Sequence, residues 1–181
     1  MSTLGKLAII AIPVFLLAAC DTSVTPSYQT SPQNTIALQP LAASGKRANV
    51  HVFNVAQGVN TTPTCRLAGP IDVGGGQSAA QALKDAITAE LLAADAYSER
   101  GTPLTITLTD MKVDTMSGYW NLAATVQSPK LPKGYTVTTR YDYKTSFSAA
   151  SACPNAALAF NRAASAFINQ IISNPGFRSA I

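Results

Sequence analysis

Residues 104–108 (LTITL), 119–126 (YWNLAATV) and 135–143 (YTVTTRYDY) decide the fold. In each, apolar side chains recur at every second position: Leu104, Ile106 and Leu108 against Thr105, Thr107 and Thr109, then Trp120, Leu122, Ala124 and Val126 against Tyr119, Asn121, Ala123 and Thr125. The third sets Tyr135, Val137, Thr139, Tyr141 and Tyr143 against Thr136, Thr138, Arg140, Asp142 and Lys144. A period of two with β-branched and aromatic residues is the pattern of a half-buried strand. Turn signals at Ser117-Gly118 and from Pro129 to Gly134 separate the three, so they predict an antiparallel meander with one face in a core.

Upstream, Asn49 to Val55 (NVHVFNV) reads as a further strand. Between it and the meander, Ser78 to Tyr97 reads as a helix, because Leu83, Ile87 and Leu91 recur every four residues with Ala80 and Ala94 beside them. Ser78 and Gln81 have capping-box spacing. A second helix is predicted from Pro154 to Ser173, with Pro154 in its first turn, Phe160, Ala164, Phe167 or Ile168, and Ile171 on one face, and Asn174-Pro175-Gly176 as its stop. The expected fold is therefore α+β: an antiparallel sheet of about four strands packed against two helices, in the order strand, helix, strand, strand, strand, helix.

The chain before this body has two parts. Lys6 precedes a thirteen-residue apolar run, Leu7 to Ala19, which as a helix reaches only about 20 Å against a hydrocarbon core of about 30 Å. It ends in Leu17-Ala18-Ala19-Cys20, which resembles the lipobox of bacterial lipoproteins. That resemblance implies a signal peptide over residues 1–19, cleavage before Cys20, acylation of its sulfur and a periplasm-facing protein held to the cell membrane by palmitate-type chains. Asp21 resembles the signal for inner-membrane retention in enterobacterial lipoproteins and leans the expectation that way. The alternative is an ordinary secretory signal with a cysteine at its boundary. Residues 20–45 are then read as the lipidated cysteine and a Ser/Thr/Pro/Gln tether, interrupted by Pro26, Pro32 and Pro40. Such a tether has a root-mean-square reach of about 25 to 30 Å. A second reading docks Ile36 to Leu41 on the body as an edge segment. The periplasmic domain is expected over 46–181.

Composition narrows the function classes. The chain is 47% hydrophobic and 12% charged, which excludes a disordered polyelectrolyte. Its net charge is +4, but the basic residues are scattered, with Lys46-Arg47 a solvated pair, so no nucleic-acid footprint is present in the sequence. With Cys20 acylated, Cys65 and Cys153 remain, and in an oxidising compartment an even pair reads as one disulfide, the alternative being two separately buried thiols. The element order also loosely resembles small envelope lipoproteins of curli secretion or peptidoglycan-synthase activation, a topological likeness that carries no residue roles.

Catalytic chemistry is hard to assemble from these residues. His51 is the only histidine and stands in the first strand without a nucleophile assigned to it. Asp110 and Asp114 are the best carboxylate pair, yet they bracket a strand end and a turn, where aspartates cap or solvate. Gly74-Gly75-Gly76-Gln77-Ser78 opens onto a helix and forms a possible ligand loop, an amide nest for an anion or a flexible entry. No metal site and no cofactor are expected. Tyr119, Trp120, Tyr135, Tyr141 and Tyr143 are assigned first to packing and second to a docking surface. The resulting expectation is a non-enzymatic envelope lipoprotein that binds or assists another envelope protein. The rivals are a ligand-binding or hydrolytic lipoprotein acting on glycan or lipid, and a structural lipoprotein that self-associates through a sheet edge.

Overall fold

The computed structural model describes residues 23–66 and 68–181, so the apolar run, Cys20 and Asp21 lie outside the described residues. The meander forms as its periodicity requires: β5 (Thr102–Asp114), β6 (Tyr119–Ser128) and β7 (Leu131–Asp142), all antiparallel neighbours. Leu104, Ile106, Leu108, Trp120, Leu122, Ala124, Val126 and Val137 are buried, whereas Thr109, Thr136, Thr138 and Arg140 are exposed. A register shift between Leu108 and Asp110 adds one residue to β5, so that Met111 is the next side chain to be buried. At the β5–β6 turn the Asp114 carboxylate accepts from the amides of Met116 and Ser117. Gly118 there has φ +78°, and a Cβ on it would stand 2.4 Å from the Tyr143 carbonyl oxygen, so both backbone conformation and space require glycine.

The fourth strand corrects the expected antiparallel sheet. β2 (Ala48–Val55) pairs with β5 in parallel, giving a mixed sheet of order β2-β5-β6-β7. The reason is the connection. Two strands of a small second sheet and α2 (Ala79–Ala93) lie between β2 and β5, and such a crossover returns the chain to the end from which it left, where a hairpin would reverse it. The small sheet has the order β1-β4-β3, with β1 (Ser23–Val24) parallel to β4 (Gly69–Asp72) and β3 (Thr64–Cys65) antiparallel to it.

Helices cover the apolar face of the main sheet, α2 against β2 and α3 (Ala149–Ser173) against β6 and β7. Trp120 is fully buried there, its indole N–H donating to the Ala156 carbonyl at 2.9 Å and its ring meeting Phe160 edge-on at 5.1 Å. α3 starts five residues before the predicted Pro154, at Ala149. Proline removes one internal hydrogen bond, and the burial of Ala152, Cys153, Ala156 and Ala157 around it offsets that loss. Asn174-Pro175-Gly176 does end α3, but Asn174 also caps a short α4 (Pro175–Ala180) that was not predicted. α2 ends earlier than predicted, at Ala93. Asp95, with φ +54°, takes the left-handed position after it, and the amides of Asp95 and Ala96 return to the carbonyls of Leu92 and Leu91 in a Schellman closure.

The tether is a second correction. From Ser23 onward the segment belongs to the folded body, and Pro32–Ala43 forms helix α1. Composition counted the prolines as breakers, yet Pro32 occupies the first helical position, where no amide bond is lost. Pro40 falls in the last turn, and the burial of Leu38 and Leu41 holds it there. The region Ile36 to Leu41 does dock, as a helix and not as an edge strand.

The sulfurs of Cys65 and Cys153 are 2.01 Å apart with Cα atoms 5.6 Å apart, joining the small sheet to α3 across 88 residues. Closing a loop of that length in the unfolded chain contributes about 4.6 kcal/mol on chain-entropy grounds. Cys65→Ala with Cys153→Ala is expected to lower unfolding free energy by 2 to 4 kcal/mol, about the usual range, measured by urea titration monitored by circular dichroism. Equal midpoints for the native and double-variant proteins would contradict it.

Candidate functional site

A cleft of about 410 Å³ opens between the N-terminal segment, the glycine loop, α2 and α3. Its floor is apolar: Leu83 and Ala86 from α2, and Phe160 and Ala164 from α3. Thr25 to Tyr28 form one wall, a strap fixed by three bonds to α3: the Thr25 hydroxyl to the Ala157 carbonyl at 3.2 Å, and the Asn161 amide to the carbonyls of Pro26 at 2.7 Å and Ser27 at 3.1 Å. Val73, Gly74 and Gly75 form a second wall, with Gln77 and Asp85 at the rim. An apolar floor under a polar rim suits an amphipathic ligand or an inserted side chain.

The glycine loop therefore lies at the cleft, but its amides face inward. The Asp72 carboxylate accepts from Gly74 N at 3.0 Å and Gly76 N at 2.9 Å. With an internal carboxylate already in the nest, those two amides hold no second anion. Gly74 also sits where a Cβ would fall 2.3 Å from the Gln77 carbonyl oxygen. Ser78 caps α2, its hydroxyl accepting from Gln81 N at 3.2 Å, while the Gln81 side chain turns to Asp85 and leaves the capping box half made. The role of Gly74, Gly75, Gly76 and Ser78 is to shape a wall and start a helix.

Behind the cleft lies a carboxylate that sequence reasoning missed. Glu90 of α2 is 0% exposed. Its Oε1 accepts from the Tyr28 hydroxyl at 2.5 Å, the Ser31 amide at 2.9 Å and the Asn34 side chain at 2.9 Å. Asn34 continues to the Ser165 carbonyl and accepts from Asn169, both on α3. Oε2 has no partner among the described residues. Burial, and then the Glu90 carboxylate beside it, pushes the Tyr28 phenol well above its usual pKa. The signal was present in the sequence: Glu90 falls on the apolar stripe with Ala86, Ile87 and Leu91, and a charge there requires partners.

The remaining candidates are dispersed. His51 is exposed on β2 and borders a shallow depression with Pro103, Thr105 and Gln127. Asp110 is exposed on β5, and the Ser117 amide, followed by that of Met116, holds the Asp114 carboxyl below its ordinary range. Neither His51 nor either aspartate lines the main cleft. Of the five aromatics, Trp120 is core, Tyr135, Tyr141 and Tyr143 pack against the core half-buried, and the Tyr119 ring lies under the Arg140 guanidinium at 3.7 Å. Among the described residues no group of three or more His, Cys, Asp or Glu is placed to hold a metal ion, and no helix is long and apolar enough to cross a membrane.

Comparison with known proteins finds no matching family model and no matching curated protein. Similar solved structures include a DUF330-family protein of Xanthomonas campestris, 12% identical over 70% of this chain and 83% of that one, with a TM-score of 0.43. Another, described only as an uncharacterized protein, is 8% identical over 83% of this chain and 99% of that one, with a TM-score of 0.39.

Two measurements test this region. Glu90→Ala strands the Tyr28 hydroxyl and the Ser31 and Asn34 donors, and is expected to cost about 3 kcal/mol of stability in urea unfolding. Burial raises the phenols of Tyr28 and Tyr135, and burial with the Asp114 charge pushes Tyr143 up to about 12. A raised folded pKa means stability that is complete below the unfolded value of 10.0 and is lost as pH climbs toward 12. Phenolate absorbance is thus expected to rise together with loss of circular dichroism, and phenols that ionise well before unfolding would contradict it.

Proposed function

We propose that this chain is an envelope lipoprotein, acylated on Cys20, whose folded body binds another envelope component in the cleft between strap, glycine loop, α2 and α3, without catalysing a reaction. The anchor rests on Leu17-Ala18-Ala19-Cys20. The binding role rests on one observation, a cleft with an apolar floor and polar rim built jointly by the segment that leads from the anchor and by the two covering helices. Its edge offers the side chains of Ser27 and Gln77 and one carboxylate, Asp85, which orient and select.

The folded strap alters how the anchor acts. A long tether samples a wide shell above the membrane, but here the body begins at Ser23, three residues after Cys20, so the covalent reach is at most about 11 Å. The body is confined to the lipid surface, and its effective concentration for surface partners rises accordingly. The cleft wall at Thr25 to Tyr28 follows immediately, which fixes the height of the binding site.

Ala82 lines the cleft half-buried on α2, and a larger residue there fills the cleft at a helix-propensity cost of about 0.5 kcal/mol. Ala82→Phe is expected to cut photocrosslinking from Gln77 to the bound component on the order of tenfold, one lost anchor contact, with unfolding free energy within about 1 kcal/mol of the parent. Undiminished crosslinking in a folded Ala82→Phe protein would overturn the cleft as the binding site.

A further inference from the structure

We infer that the end of the body bearing Met116 and Phe147 is a membrane-docking surface, seated in the lipid interface beside the acylated Cys20. This rests on the anchor proposed above. Phe147 is 94% exposed and Met116 62% exposed. They stand on different loops, the β5–β6 turn and the approach to α3, and one side chain ties these loops together. The Arg66 guanidinium donates to the carbonyls of Thr115 at 2.8 Å, Ser146 at 2.7 Å and Phe147 at 2.5 Å. Arg66 follows Cys65, whose bond to Cys153 fixes it against α3. The two large apolar side chains thus project from one braced platform.

The direction of the described chain points its entry toward this end. Thr25 is bonded at Ala157, and Pro26 and Ser27 at Asn161, so the strap ascends α3 from its N-terminus toward its C-terminus. The chain therefore enters β1 from the N-terminal end of α3, which Phe147 precedes by two residues. Cys20 is within about 11 Å of Ser23 along the chain. Exposed Lys112 and Lys144 flank this end, where the exposed Asp142 is paired with Arg140 at 3.0 Å and Asp114 is half-buried, so a small positive charge accompanies the apolar insertion. One aromatic and one thioether side chain hold a free protein at a bilayer weakly, but they orient a body that acyl chains already retain.

The opposite pole supplies the control. β6 runs ten residues from Tyr119 to Ser128, which puts the exposed Lys130 about 30 Å from Met116. Full-length acylated protein is reconstituted in phosphatidylethanolamine–phosphatidylglycerol vesicles with acyl chains brominated at mid-depth, as Phe147→Trp or Lys130→Trp. The native Trp120, the one tryptophan of the chain and fully buried, is the internal reference. Phe147→Trp is expected to lose emission roughly twofold relative to unbrominated lipid, a bilayer-inserted indole, with Lys130→Trp unchanged. Equal quenching at both poles, or none at Phe147→Trp in vesicle-bound protein that carries palmitate, overturns docking and leaves the anchor standing. A Phe147→Trp indole shielded from aqueous acrylamide yet untouched by bromine assigns the patch to a protein partner and also overturns it. Palmitate labelling of the same preparation reads the anchor separately, and an unlabelled protein removes the anchor and with it this inference.

Discussion

The fold depends on one buried carboxylate. Glu90 stands on the helix that makes the β2-to-β5 crossover, and through Tyr28, Ser31 and Asn34 it gathers the N-terminal segment onto both covering helices. A carboxylate at that depth is strongly unfavourable without partners, and the three donors on Oε1 offset part of that cost, while Oε2 has no partner among the described residues. Because Tyr28, Ser31 and Asn34 meet Glu90 together, the network favours this position of the strap as well as adding stability. The cleft follows from that register: with the strap held, its inner edge becomes a wall.

Much of this was legible in the amino-acid order, and the exceptions share a cause. Alternation in Leu104 to Leu108, Trp120 to Val126 and Tyr135 to Tyr143 revealed which side chains share a face, because a strand's period is a local property. It did not reveal neighbours, so the parallel pairing of Ala48–Val55 with Thr102–Asp114 emerged only from the connection between them. Residues 32–43 were misread because their helix is stabilised by tertiary contact at Leu38 and Leu41, not by composition. Pro154 was assigned a first turn because intrinsic preference favours it there, and burial around it overruled the preference.

At the site the same division holds. The glycine run reads from sequence as an amide nest or a flexible helix entry, and the carboxylate that occupies its amides, Asp72, lies only two residues before Gly74, a spacing typical of aspartates that bond their own backbone. Glu90 could have been noticed as a charge on an apolar stripe. Tyr28 and Asn34 offered no such signal, since nothing local distinguishes them from other polar residues in a Thr/Pro-rich segment.

The cysteine bridge has a bearing on when this body can mature. Cys65 precedes the crossover helix and the whole meander, while its partner stands in α3, 88 residues later. A chain emerging amino end first thus presents the small sheet long before the helix that must clasp it. Until α3 arrives, Trp120 lacks its carbonyl acceptor at Ala156 and the strap lacks its supports at Ala157 and Asn161. The covalent clasp consequently closes only after the crossover and the meander have emerged.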